Sequence, residues 1–358
     1  MSNVTNRQEI TLFKADATSA SNDEKRPQRH EPTSATVSKY LYVAAFAYFG
    51  VSTRVLLTWL SREINNPLLD RLGDSFFLPN AFGSFLLGFV NSALFSRLAN
   101  FDSTNTLKTG LASGFCGSCT TFASWQLIAA QRMLGGDWST AVVQSAITFC
   151  TSYMAAGAGR SIGQPTSQQS CKTEQKADST RAPFHRALLL SSLIFFILPT
   201  IVVWTKIATE ADVKSRYFWV AVAFSPLGAL IRYQLSLRNA SHPTFPVYTL
   251  AVNLCGCFGN ICILVLGNYL TNSQVLDDNW LAAFNLWILN GISVGLMGSL
   301  STVSTWINEI WHLANKGRMY HSYRYAVVSV LSAQIICLSI GATYLLTSGR
   351  SLSLTDID

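Results

Sequence analysis

The chain has 358 residues, of which 49% are apolar and only 13% charged, about half the charged share of a soluble domain. Mean hydropathy is +0.27, and the net charge of +7 sits in the N-terminal tail and the loops rather than on one periodic face. These values exclude an ordinary soluble protein, argue against nucleic-acid binding, and predict an all-α polytopic membrane protein whose first partner is the lipid bilayer.

Residues 1–39 are polar and mixed in charge, with Lys25, Arg26 and Arg29 against Asp23 and Glu24. They lack the apolar run of a signal peptide and read as a disordered tail. Nine spans follow, at roughly 40–60, 76–98, 107–132, 138–160, 186–206, 216–237, 246–270, 281–314 and 322–347. Each is long enough to cross a hydrocarbon core ~30 Å thick. A polar linker at 161–185 precedes the fifth span, 186–206, which carries Pro199 and reads as a plain linker helix; 348–358 is a C-terminal tail. Most cysteines lie in apolar segments, and the pair Cys116 and Cys119 falls in a Gly/Ser/Thr run with no His or second Cys pair near it. Packing explains that pair better than redox or metal chemistry.

Spans 1–4 and 6–9 repeat each other. Gly50 to Arg54 answers Gly228 to Arg232, Asn80 to Gly83 answers Asn253 to Gly256, Gly114 to Ser118 answers Gly295 to Ser299, and Gly157 answers Gly341. The order and spacing hold throughout, which predicts a duplicated unit, residues 40–160 and 216–347. Four spans plus one extra crossing turn the second unit upside down in the membrane. Arg97, Lys108, Arg160, Lys172, Lys176, Arg181, Arg186, Arg238, Lys316, Arg318 and Arg324 then fall on one side, and only Arg62, Arg71, Arg132, Lys206, Lys214 and Arg216, with the acidic Asp277 and Asp278, on the other. The positive-inside rule puts the N-terminus in the cytoplasm and the C-terminus outside. Inverted halves around a midplane site are a transport architecture.

Spans 3 and 8 depart from ordinary membrane helix. Gly110 to Ser124 reads GLASGFCGSCTTFAS and Gly291 to Thr305 reads GISVGLMGSLSTVST. The glycines weaken the helix, and the hydroxyls after them, Thr120 with Thr121 and Ser301, Thr302, Ser304 and Thr305, suit a break lining a polar path.

These segments resemble the Fluc (CrcB-type) fluoride channels and their fused eukaryotic form, FEX. Gly228 to Tyr233 reads GALIRY and Thr249 to Gly256 reads TLAVNLCG, both full matches to that family's first- and second-span motifs; Gly114 to Trp125 reads GFCGSCTTFASW and departs from the third only near its end. The resemblance covers nearly all of 40–347 outside the linker and span 5. It implies a fluoride-selective channel exporting the ion passively across the plasma membrane, functional as a single chain. It implies a structural Na⁺ on the backbone carbonyls of Gly117, Thr120, Gly298 and Ser301, Asn80 and Asn253 facing the anion path, and Arg54 and Arg232 in its vestibules. The two path phenylalanines of the family become Phe122 and Val303 at the first position and Trp125 and Trp306 at the second. Only Phe122 with Trp306 keeps the expected aromatic pair. Counting back from Gly341 gives the fourth-span Tyr325 and Ser329; counting back from Gly157 gives Ala141 and Ser145. One complete path and one worn path are expected. A coupled secondary transporter for another small ion is the alternative. It would call for an intramembrane acid, and Glu309, the one candidate within the repeats' interior spans, is expected near an interface. No metalloprotease, nucleophile-elbow or paired-acid motif suggests an enzyme.

Overall fold

The computed structural model describes residues 33–63, 75–99, 105–164, 181–272 and 285–349. Expectations for residues 1–32, most of the 161–185 linker, Asp277, Asp278 and the C-terminal tail from residue 350 lie outside them. Every regular element among the described residues is helical. Helix α1 spans Thr33–Glu63, starting seven residues before the expected boundary, and α2 spans Phe77–Val90. The second expected span then bends at Asn91, and Ser92 caps a short α3, Ala93–Leu98, by accepting the Phe95 N–H at 3.2 Å. Beyond the first break come α4, Phe122–Leu134, and α5, Trp138–Ile162. Next are α6, Arg181–Thr209, α7, Val213–Ser236, and α8, Val247–Asn272. Beyond the second break come α9, Val303–Asn315, and α10, Met319–Ser348.

The turns entering α5 and α10 are alike. Each needs a left-handed residue, supplied by Gly136 at φ +89° and Gly317 at φ +72°, a conformation a side chain would strain. Asp137 then caps α5 through the Thr140 N–H at 3.3 Å.

Polarity runs opposite to that of a soluble protein. Inside lie Ser84, Asn80, Thr120, Thr121, Gln126, Asn253, Asn260, Thr302 and Ser304, while Leu190, Ile194, Leu198 and Trp204 of α6 and Leu331 and Ile335 of α10 face outward. An apolar exterior around a hydrogen-bonded interior is what hydrocarbon solvent requires. Five helices are long and apolar enough to cross a membrane, at Thr33–Ser61, Ala187–Thr209, Ser215–Ser241, Val247–Leu270 and Met319–Ser348. The other expected spans miss that standard for physical reasons. Helix α2 has only 14 residues, spans 3 and 8 are interrupted, and α5 buries a row of polar side chains.

Each helix after a break packs into the opposite half. Helix α4 lies against α8 and α10, and α9 lies against α2 and α5, while α1 and α7 pack on each other and α6 covers both. The two halves are therefore interleaved around one core, built on Phe122, Trp125, Trp306, Ile307 and Tyr325.

Candidate functional site

The two breaks are built the same way. The first arm runs through Thr106–Thr109, wide i→i+5 turns over Gly110–Cys116, and one α-turn at Gly117–Cys119, before Thr120 goes extended at φ −90°, ψ 151°. The second passes through wide turns at Ser293–Met297 and an α-turn at Gly298–Leu300 before Ser301 extends at φ −90°, ψ 150°. Thr121 and Thr302 are the N-caps of α4 and α9. Asparagine clamps each one. The Thr121 N–H donates to Asn80 Oδ1 at 2.9 Å and Asn80 Nδ2 donates to the Thr121 carbonyl at 3.3 Å. Asn253 does the same for Thr302 at 2.8 and 3.3 Å. Each amide thereby holds the threonine N–H freed by the helix break and adds a second bond to the N-cap carbonyl, so that one of its two N–H bonds is committed to the scaffold.

That clamp strips donors from four carbonyls. The Thr121 and Thr302 N–H groups, which a continuous helix would give to Gly117 and Gly298, go to asparagine instead. The Ser124 and Thr305 N–H groups, due to Thr120 and Ser301, go to the threonine caps at 3.4 and 3.5 Å. Four carbonyl oxygens around one crossing make a donor set that suits a hard cation.

Hydroxyls tie the arms together. Thr120 Oγ1 lies 3.1 Å from Thr302 Oγ1 and donates to Ser304 Oγ at 3.0 Å, and Ser304 Oγ donates to the Cys116 carbonyl at 3.1 Å. On the other side Ser301 Oγ accepts the Ala123 N–H at 3.0 Å and pairs with Thr121 Oγ1 at 3.3 Å. Cys116 and Cys119 are buried free thiols beside this knot.

The arginines sit elsewhere than an open mouth. Arg54 and Arg232 are 1% and 2% exposed, and each crosses to the other half. Arg232 donates through Nε to the Ser299 carbonyl at 2.9 Å and through Nη2 to the Ser113 carbonyl at 2.6 Å. Arg54 donates to the Val294 carbonyl. Their guanidiniums lie against Gly117 and Gly298, where any Cβ would collide with them. Sequence places a charge on a span but not the direction its long side chain takes, so a vestibule position was the simpler expectation.

Beyond the crossing the two sides differ. Phe122 stands edge-on to Trp125 (5.6 Å, 90°) and Trp306 (5.2 Å, 69°), and the two indoles are 6.2 Å apart. Trp125, grouped by sequence with the worn path, thus joins the same aromatic cluster. On the α8 side a polar chain runs from Ser293 Oγ to Asn260 Oδ1 (2.9 Å), from Asn260 Nδ2 to Ser124 Oγ (3.3 Å), and on to Thr121 Oγ1 (3.2 Å). Further along, the Glu309 carboxylate accepts from Thr249 Oγ1 at 2.7 Å, Tyr325 OH at 2.8 Å and Asn239 Nδ2 at 3.2 Å. Sequence reasoning set Glu309 aside and missed Asn260, although Asn260 lies two turns after Asn253 on the same face of α8. Ser329 is buried one turn beyond Tyr325 and donates to its carbonyl at 2.7 Å.

Burial also revises the pairing of α5 with α10. The buried face of α5 carries Ala141, Gln144, Thr148, Ser152 and Ala156; that of α10 carries Ser322, Tyr325, Ser329, Ala333 and Cys337. These match at a spacing of 181 positions, the same spacing that relates Gly117 to Gly298. Gln144 therefore answers Tyr325 and Thr148 answers Ser329, rather than Ala141 and Ser145. Gly157, which anchored the other count, faces open space. The hydroxyls of Ser84, Thr148 and Ser152 are buried with no hydrogen-bond partner among the described residues.

Comparison with known proteins decides the family. The family described as CrcB-like protein, Camphor Resistance (CrcB), matches the chain twice, at residues 41–160 and 219–342. The chain belongs to the CrcB family. Its relatives include a Candida albicans protein named Fluoride export protein 1, 26% identical over 235 residues, which are 62% of this chain and 58% of that protein. A Bacillus cereus protein named Fluoride-specific ion channel FluC 1 is 34% identical over 125 residues, 34% of this chain and 82% of its own length. A Salinibacter ruber protein named Fluoride-specific ion channel FluC is 34% identical over 137 residues, 37% of this chain and 93% of its own. The chain thus spans less than two thirds of the Candida protein but most of each bacterial one, and the family match occurs once in each half. No solved structure matches it. Both bacterial relatives are named as ion channels.

Proposed function

We propose that this CrcB protein is a fluoride channel that exports the ion passively through the plasma membrane, so lowering fluoride inside the cell. The names of its relatives support the ion. The observation that carries the mechanism is the doubled break, where hydroxyls, amides and aromatic rings converge with no carboxylate among the described residues at the crossing. Neutral donors replace the water of a small anion without trapping it as an opposite full charge would. A potential of 100 mV, negative inside, supplies about 2.3 kcal/mol per exported anion, so no coupled gradient is needed.

The chain spans nine times, four spans in each repeat and one in the linker, the second half inverted, with the N-terminus cytoplasmic, the C-terminus outside and both halves of the conduction unit in one chain. The live path uses Asn253, Asn260, Ser124, Phe122, Trp306, Tyr325 and Ser329, with Thr121, Thr302, Ser304 and Thr305 shaping the crossing and Asn80 its counterpart on the other side. Helix α4 packing on α8 and α10 supports this. Carbonyls of Gly117, Thr120, Gly298 and Ser301 would hold a Na⁺, whose charge would offset four oxygen dipoles that lack helix donors. Arg54 and Arg232 fasten each half to the arm of the other.

Fluoride efflux from liposomes holding purified protein, with chloride as control, tests the reading. Fluoride should leave by itself and carry current. Efflux that required a proton or sodium gradient and carried no fluoride current would replace the channel with a coupled transporter. Single-step photobleaching per active unit would match a one-chain channel; a two-step majority would contradict it.

A further inference from the structure

Two donors in the aromatic cluster lack an acceptor among the described residues. Trp125 and Trp306 are 1% and 0% exposed, and neither indole Nε1–H meets an acceptor among the described residues. An indole N–H donates and cannot accept. Its missing partner therefore carries a lone pair, and another N–H cannot serve. The neighbours sharpen the choice. Phe122 presents an edge geometry to both indoles, and Phe149 meets Trp306 at 5.5 Å and 63°. Ring edges are electropositive, so an aromatic surrounding of this kind suits an electron-rich partner. A phenylalanine at either position would supply an edge alone.

We propose that the Trp125 and Trp306 indole N–H groups bond the transported anion directly, making them specificity-determining residues of the fluoride path and adding Trp125 to the live path described above. This rests on the channel reading above. Fluoride is the smallest halide and the strongest hydrogen-bond acceptor among them, so it gains most from a neutral N–H. Chloride, larger and more weakly accepting, gains less from the same donors. The two indoles lie 6.2 Å apart on helices from opposite halves, close enough to act in succession on one ion at the crossing.

The test uses full-length protein in two steps. Liposome efflux comes first: wild-type protein that releases no fluoride sinks the channel reading itself. With efflux-competent protein, ¹⁵N-indole labelling in nanodiscs allows sodium fluoride and sodium chloride titrations at equal ionic strength. The two resonances are assigned by their loss in Trp125→Phe and Trp306→Phe. Both should shift saturably with fluoride and stay still with chloride. The phenylalanine variants, keeping an aromatic ring but losing one donor, should weaken half-saturation by fluoride about 3- to 10-fold each. Indole resonances indifferent to fluoride in active protein, as trapped water would leave them, overturn the proposal even if the variants fail to fold. So does an equal response to chloride.

Discussion

Replacing Asn253 by alanine should damage both stability and transport, and the structure sets how much. The side chain makes two bonds to one buried threonine, 2.8 Å from its N–H and 3.3 Å to its carbonyl. Alanine leaves the Thr302 N–H unmet in a buried setting, since Asn253 and Thr302 are each 0% exposed, while the Thr302 carbonyl, at the N-cap of α9, still accepts from the helix. An unmet buried group costs about 1–3 kcal/mol, so the variant should lose about that much if the arm does not rearrange. Asn80→Ala removes the mirrored pair on Thr121, at 2.9 and 3.3 Å, and should cost the same. Transport should separate them. Asn253 sits on the helix that also carries Asn260 and its serine chain, whereas the position two turns beyond Asn80 is Leu87. Thermal unfolding in detergent, followed by size-exclusion, should show matched destabilisation, while liposome efflux should fall far more for Asn253→Ala. An unchanged midpoint for either variant would refute the clamp, and equal loss of efflux at equal protein recovery would refute the assignment of one live side.

The remaining expectations follow from the same geometry. Phe122→Ile should abolish efflux, while Val303→Ala leaves most of it; comparable losses in folded protein would contradict the one-sided path. Glu309→Gln offers one carbonyl oxygen and an amide N–H to three donors, so it should cost about 1–3 kcal/mol in thermal stability; unchanged melting would show the network to be idle. Arg232→Lys loses a fork that reaches two carbonyls with charge-assisted bonds worth about 1.5–3 kcal/mol each. It should destabilise more than Arg54→Lys, whose Nε and Nη1 lack acceptors among the described residues, and equal melting shifts would argue against the fork. Exchanging sodium for N-methylglucamine should lower thermal stability if the four carbonyls hold Na⁺; an unchanged midpoint would leave the arginines as the only cations at the crossing.

Much of this was legible because some residue patterns have few structural outlets. Glycine with hydroxyls in an apolar run signals broken helix, and a lone asparagine in such a run signals a partner for the break. Both halves announce the same device, so the duplication and the arms could be read directly. Contacts between distant segments could not. Glu309 finds donors on Asn239, Thr249 and Tyr325, which sit on three separate elements, and nothing local to Glu309 reports them. The register of α5 failed for a different reason. A single glycine was used as the anchor, but Gly157 has no packing role, whereas helical burial repeats every three to four residues and fixes the pairing at Gln144 and Thr148.

The pattern of what the two halves share gives the asymmetry a cause. Residues at the crossing serve both sides at once, and there the halves agree: Asn80 with Asn253, Thr121 with Thr302, Arg54 with Arg232. Residues away from it serve one side only, and there they part company. Ile128 stands at the position of Glu309, Gln144 at that of Tyr325, Leu87 at that of Asn260, and Val303 at that of Phe122. A fused duplicate needs the common crossing intact to hold its interleaved helices, but transport requires only one path. Changes that would break the crossing would unfold both halves, whereas changes along one side spare the other. Loss confined to unshared positions is what that division of labour predicts, in keeping with the proposal that the side of α4, α8 and α10 carries transport.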